Sequence, residues 1–389
     1  MSDYADAIDA AVSRNKDRLL ELSHRIHANP EIKFKEVQAS AWLADVLESE
    51  GFSVQRGVGD LPTAFVAEMP GGRPGPTVAV LAEYDALEGI GHACGHNIIA
   101  TAALGAALGL APSMPQLPGS LKVIGTPAEE GGGGKAILLQ HGVFDDVDAA
   151  MMIHPYHLNQ TGIAMLANVK WSVTFRGKPA HAALAPHLGI NALDSVRLAF
   201  AGVDALRQQV RSDVRIHGIV THGGDAANII PDRAQMLLVG RAADGRYLFD
   251  TLVPRLQNVL NGAALMTGAE VDVADVSPAY QELRTNPALS SCFEVHSGRL
   301  GRTLTPWSVQ DAGGSTDMGN VSQRVPALHA MLAIDDEALP HTEAFREAAR
   351  GARGDCAVLD GARILASVAA DVLSDPKVLE QARRSFEER

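Results

Sequence analysis

Apolar residues recur every three or four positions through Ile8, Val12, Leu19, Leu22 and Ile26, which predicts one amphipathic helix that ends at Asn29-Pro30. A second helix is expected from Val37 to Glu50, stopped by Gly51. The pattern then shortens into β-like runs at Thr63–Glu68, Thr77–Tyr84, Leu121–Thr126 and Ala149–Ile153, with a helical stretch from Gly95 to Leu110 among them. Strands alternating with helices predict an α/β domain built on a helix-covered, mostly parallel sheet, with its chemistry at the carboxyl ends of the strands.

From about Lys170 the pattern changes. A strand (Trp171–Arg176), a helix (Ile190–Val210), two strands (Arg215–Thr221 and Ala234–Arg241), a helix (Tyr247–Met266) and a strand (Glu270–Val276) follow in turn. That β-α-β-β-α-β order predicts a ferredoxin-like unit, expected over residues 169–279 as an insertion. Residues 1–168 and 280–389 would then form the first domain, with helices near Pro287–Leu300 and Ala357–Leu373 and a charged surface helix at Lys377–Arg389.

Composition narrows the function. The chain has 389 residues and a formal net charge of −13, which disfavours nucleic acid and anionic membranes as partners. No apolar run reads as a bilayer span, and Ala102–Ala111 reads as a buried helix. Met1–Asp9 is acidic and lacks a hydrophobic leader, and the cysteines are few and odd in number: Cys94, Cys292 and Cys356. Both features point to the cytoplasm. Cys292 shares a helical pattern with Leu289, Phe293 and Val295 and reads as core.

The chemistry gathers in four places. Gly91-His92-Ala93-Cys94-Gly95-His96-Asn97 follows a strand and opens a helix, and offers the thiolate and imidazole of Cys94 and His96 to a divalent ion; the plainer alternative is a glycine-rich turn with incidental histidines. The run Thr126-Pro127-Ala128-Glu129-Glu130 followed by four glycines and Lys135 is no P-loop, because Ala136 stands where Ser or Thr is needed. One carboxylate there could bind metal while its neighbour takes a proton from water, or the two could form an acidic exposed turn. His154 closes an apolar strand, and His341 lies in a later loop; each could be merely structural. Together Cys94, His96, Glu130, His154 and His341 suit a pair of divalent ions about 3.5–4 Å apart. In the insertion, His181, Asn228 and Arg241 are candidates to steady an oxyanion or hold a carboxylate, or are ordinary loop and surface residues.

The motifs HACGHN, GTPAEEGGGGK, GKPAHAA, NIIPD and GGSTDMGN occur in order over nearly the whole chain. In these the chain resembles the dinuclear metallopeptidases related to aminoacylase (peptidase family twenty), in the amidohydrolase branch with auxin-conjugate, hippurate and aminobenzoyl-glutamate hydrolases and β-alanyl-lysine-type dipeptidases. The resemblance implies two divalent ions in each protomer, zinc or manganese with cobalt as an alternative. It implies that Cys94 bridges them, that His96 and His154 complete one, and that Glu130 and His341 complete the other. Glu129 would be the general base, and Asp85 would orient a metal ligand. His181 and Asn228 would stabilise the oxyanion, Arg241 would hold the substrate carboxylate, and Ser315 would lie in the pocket wall with Gly313–Asp317. Glu83 and Asn97 depart from the branch pattern and are expected to reshape the pocket. The expected activity is hydrolysis of an N-acyl-amino acid, aminobenzoyl-glutamate-like conjugate or dipeptide, by a homodimer joined through the inserted lid. Deamination of an aromatic amine and non-catalytic binding of acyl-amino acids are the alternatives.

Overall fold

The computed structural model describes residues 4–308 and 313–388. The first three residues of the acidic N-terminal stretch, and Arg389 of the charged tail, lie outside the described residues. The described residues form two units: 4–164, 283–308 and 316–388 make the first, and Met165–Glu282 with Gly313–Ser315 the second.

The first unit is built on six strands: β1 (Ser53–Arg56), β2 (Phe65–Pro70), β3 (Arg73–Glu83), β4 (Pro118–Thr126), β5 (Ala149–Tyr156) and, after the second unit, β10 (Ala327–Ala333). Their order is β1-β2-β4-β3-β5-β10. β3, β4, β5 and β10 run parallel, whereas β1 and β2 join antiparallel at one edge. The parallel register sets Glu83 opposite Thr126, so β3 and β4 end side by side. Every residue of the helix His96–Leu110 is buried. By composition His96–Gln116 is long and apolar enough to cross a membrane, but most of it is enclosed in this core.

Several elements depart from the expected pattern. The opening helix is two helices, Ala5–Arg14 and Lys16–Ala28, parted at Asn15, whose side-chain amide donates to the carbonyl of Ala11 (3.0 Å). β1 has no apolar alternation because it is a mostly exposed edge strand. β10 has the composition of a helix, Ala-Leu-His-Ala-Met-Leu-Ala, yet is almost wholly buried beside β5; tertiary pairing overrides its weak β propensity. Cys292 packs partly buried against the core, but Val295 of the same expected face is exposed.

The second unit contains β6 (Ala167–Arg176), β7 (Arg215–His222), β8 (Arg233–Ala242) and β9 (Glu270–Asp275), all antiparallel in the order β7-β8-β6-β9. Alternate residues Val169, Trp171, Val173 and Phe175 of β6 enter its own core. The helix expected over Tyr247–Met266 is interrupted by a π-turn at Leu248–Leu252 before Val253–Thr267. Pro254, which lacks an N–H, stands in the first turn of that last segment. The unit is wider than 169–279: Asn168 and Tyr280 exchange backbone bonds (2.9 and 3.0 Å), and Met165 bridges Gly314.

Gly105 shows how tight the core of the first unit is. A Cβ there would lie 2.7 Å from that of Ala362 and 3.0 Å from Leu19. Gly105→Ala is therefore expected to lower Tm, although alanine alone favours a helix by about 1 kcal/mol. Thermal unfolding checks this, and a higher Tm would show that the helices can part.

Candidate metal centre

The parallel strand ends explain why distant residues meet. Tyr84 and Asp85 follow β3, Glu129 and Glu130 follow β4, and His154 lies within β5, which continues to Tyr156 instead of ending at Ile153. Gly95 turns the chain into the helix His96–Leu110 at φ 76°; a side chain there would also meet Pro155 at 2.5 Å. His341 has a left-handed backbone (φ 69°), and its N–H donates to the carbonyl of Ala93 (2.8 Å), which ties the late loop to the residue before Cys94.

The result is two donor triads sharing one sulfur. Cys94, His96 and His154 form one, and Cys94, Glu130 and His341 the other, with the donor atoms of each within 4.8 Å of one another. Cys94 Sγ is 3.5 Å from His154 Nε2, and Glu130 Oε1 is 3.3 Å from His341 Nε2. Two donors that share a tetrahedral zinc-sized ion at 2.0–2.3 Å stand about 3.3–3.6 Å apart, so these spacings fit a divalent cation. The ring orientations fit as well. His154 Nδ1 donates to the carbonyl of Pro155 (2.7 Å) and His96 Nδ1 bonds Asp85 Oδ1 (3.1 Å), which leaves both Nε2 atoms for the metal. His96 Nε2 is buried and has no hydrogen-bond partner among the described residues. Asp85 also accepts the Glu130 N–H on Oδ2 (2.9 Å).

Burial sets the protonation of Cys94 and His154, whereas for His96 it is outweighed by Cys94 and Asp85, which raise that imidazole well above its ordinary value. Burial pushes the Cys94 thiol well above its ordinary value, helped by Glu130, and depresses His154 to about 4, so that this imidazole is neutral at pH 7. Glu129 groups with His96 and Glu130. Desolvation, then Glu83, Glu130 and Asp317, raise its carboxyl well above the usual range.

Sequence reasoning missed the cation beneath this site. Lys135 is completely buried, and its Nζ lies 2.6 Å from both Glu83 Oε1 and Asp317 Oδ1. Against the cost of burial, Lys135 and then His96 hold Glu83 down at about 2. Glu83 Oε2 in turn lies 3.5 Å from His96 Nε2. The one available signal was a lysine opening the apolar run Ala136–Leu139. The Asn97 amide donates to Ser23 Oγ (2.9 Å) and to the carbonyl of Ala349 (3.1 Å) within the core.

In the second unit, His181 and Asn228 are exposed and adjacent, joined by the Ala182 N–H to the Asn228 carbonyl (2.9 Å). His181 Nδ1 accepts the N–H of Leu184 (3.1 Å), which leaves Nε2 outward. Arg241 Nη1 donates to Ser315 Oγ (3.2 Å), so those two candidates form one polar pair.

Residues 76–370 match the model of peptidase family M20/M25/M40. The chain belongs to this family. The Xaa-Arg dipeptidase of Mus musculus is 38% identical to it over 98% of this chain and 91% of the relative. A p-aminobenzoyl-glutamate hydrolase polypeptide of Escherichia coli (strain K12) is 37% identical over 68% of this chain and 59% of its own. Among solved structures, an aminobenzoyl-glutamate utilization protein from Klebsiella pneumoniae superposes with a TM-score of 0.73 at 23% identity, covering 93% of this chain and 98% of that one. A dinuclear metal-binding M20 peptidase from Bacillus subtilis does so with 0.69 at 22%, covering 93% and 99%. The fold of the M20 peptidases is thus the fold of this chain, and the chain is a hydrolase of the metallopeptidase class.

Two outcomes follow from the electrostatics. Lys135→Met would leave two buried carboxylates without their cation and should cost about 3–5 kcal/mol of stability; a denaturant midpoint unchanged from the parent would contradict the pairing. Cation capture by Cys94 requires the thiolate, so titration with zinc at pH 7 should release about one proton from this residue. Calorimetry in buffers of different ionisation enthalpy measures that release, and none would remove the sulfur from the ligand set.

Proposed function

We propose that the chain hydrolyses the amide bond of a dipeptide or N-acyl amino acid. The observation that carries this reading is the pair of donor triads sharing Cys94, with Glu129 beside both His96 and Glu130. Divalent cations there, zinc or manganese with cobalt as the alternative, would supply Lewis acidity that lowers the pKa of water and polarises the scissile carbonyl.

In this reading His96 and His154 would hold one cation and Glu130 and His341 the other, with Cys94 available to each. Asp85 keeps His96 in the tautomer that offers Nε2. Glu129 takes a proton from the attacking water and returns it to the leaving nitrogen, a cycle that calls for a carboxyl pKa raised toward neutrality. His181 and Asn228 supply donors to the tetrahedral oxyanion, and Arg241 with Ser315 binds the substrate carboxylate. The names of the mouse and Escherichia coli relatives both put an amino acid on one side of the cleaved bond, which favours this substrate class over an aromatic amine. A pure binder would have no use for a second carboxylate set beside the metal ligands to carry a proton.

The test is a panel of dipeptides, N-acyl amino acids and aminobenzoyl-glutamate, assayed with zinc, manganese or cobalt. Amino-acid release is expected, whereas ammonia release would favour deamination and no turnover would favour binding alone. Glu129→Gln should keep its metal by elemental analysis while turnover falls roughly 10²–10⁴-fold. Parental turnover in that variant would refute the role of Glu129.

A further inference from the structure

Glu36 stands at the N-cap of the helix Val37–Ser49, where a Ser, Thr, Asp or Asn side chain ordinarily accepts the helix's free amides. It makes no such bond. Glu31 does that work instead, with Oε2 accepting the N–H of Gln38 (2.9 Å) and of Ala39 (3.0 Å).

Glu36 is thereby released for something else. Its side chain is completely buried and gathers three separate loops. Oε1 accepts the N–H of Phe34 and of Ala128, each at 2.9 Å, and Oε2 accepts the hydroxyl of Thr63 at 3.0 Å. Thr63 in turn accepts the Tyr84 hydroxyl on its carbonyl (2.5 Å), which links this carboxylate to the end of β3.

Phe34 and Ala128 are two of only four non-glycine residues with positive φ among the described residues, at 63° and 62°. One carboxylate oxygen therefore holds two left-handed turns together. The Ala128 carbonyl is fixed as well, by the N–H groups of Gly132 and Gly133, both at 2.9 Å. Glu129 comes next, and after it Glu130, whose N–H is held by Asp85. Glu129 thus lies between two anchored peptides, one tied to Glu36 and the other to Asp85.

We infer that Glu36 is the positioning residue of the proton-carrying carboxylate: it fixes the Ala128 peptide and so aims Glu129. This rests on the reading of Glu129 given above. Glu130 has its own anchor in Asp85, so loss of Glu36 should disturb the proton carrier far more than the metal ligand.

The experiment compares Glu36→Ala, Glu36→Asp, Glu36→Gln and Glu129→Gln in the full chain reconstituted with zinc. Aspartate keeps the charge but is one methylene too short to reach both amides. In the Ala and Asp variants kcat should fall at least roughly 10-fold, with KM within about twofold and zinc content unchanged. Glutamine keeps the accepting oxygen and turns its amide toward the Thr63 hydroxyl, which can accept, so kcat should stay within about threefold of the parent. Deuterium uptake in residues 127–133 should rise in the Asp variant and not in the Gln variant.

The inference is overturned if the Asp variant keeps the parental kcat and uptake, if zinc is lost in step with kcat, or if the Gln variant is as impaired as the Asp. Should the Ala variant fail to fold, the Asp variant decides. An active Glu129→Gln protein would defeat the base assignment itself; an inactive one beside a fully active Asp variant would defeat only the role given to Glu36.

Discussion

A single carboxylate couples the two donor triads. Asp85 has one oxygen on His96 Nδ1 and the other on the Glu130 amide, so it orients a member of each donor triad at once. It can do so because β3 and β4 are parallel and end in register, which brings the residues just past one strand within reach of the loop after its neighbour. Were this pairing antiparallel, the two loops would emerge at opposite edges of the sheet and no carboxylate could span them.

Around this pivot the protein concentrates negative charge. Glu83, Asp85, Glu129, Glu130 and Asp317 crowd one strand edge, and Lys135 is the cation buried among them. Burying like charges together is costly unless positive charge is supplied. The ammonium of Lys135 answers Glu83 and Asp317. The sulfur, the imidazoles and Glu130 form donor groups that could hold a metal ion. The raised carboxyl of Glu129 follows from burial and then from the same crowding.

The sequence made the local part of this legible. Cys94 and His96 stand two apart, and Glu129 and Glu130 are adjacent, so strand-end placement was enough to suspect both pairs. His154 depended on its strand ending on the same edge as those pairs, and His341 on knowing that the chain returns to the first domain. What could not be read were contacts whose partners look ordinary in isolation. Lys135 seems a loop lysine until Glu83 and Asp317, 52 residues before it and 182 after, close upon it. Asn97 sits inside a metal-binding motif, yet its amide faces Ser23 and Ala349. The strand β10 carries a helical composition, and only its burial beside β5 makes it a strand. Periodicity reports which residues want to be inside; it is silent on which polar groups they will enclose together.

The chain leaves the first unit after residue 164 and re-enters it at 283, so β5 receives its parallel neighbour β10 only after the whole second unit has been made. His341 is later still, 247 residues beyond Cys94. At about 5–20 residues per second, a ribosome would have exposed the thiol for some tens of seconds before its last companion emerged. During that interval the newborn protein presents a reactive sulfur without the enclosure that later shields it, and whatever guards it from oxidation or from the wrong ion must act before the fold can.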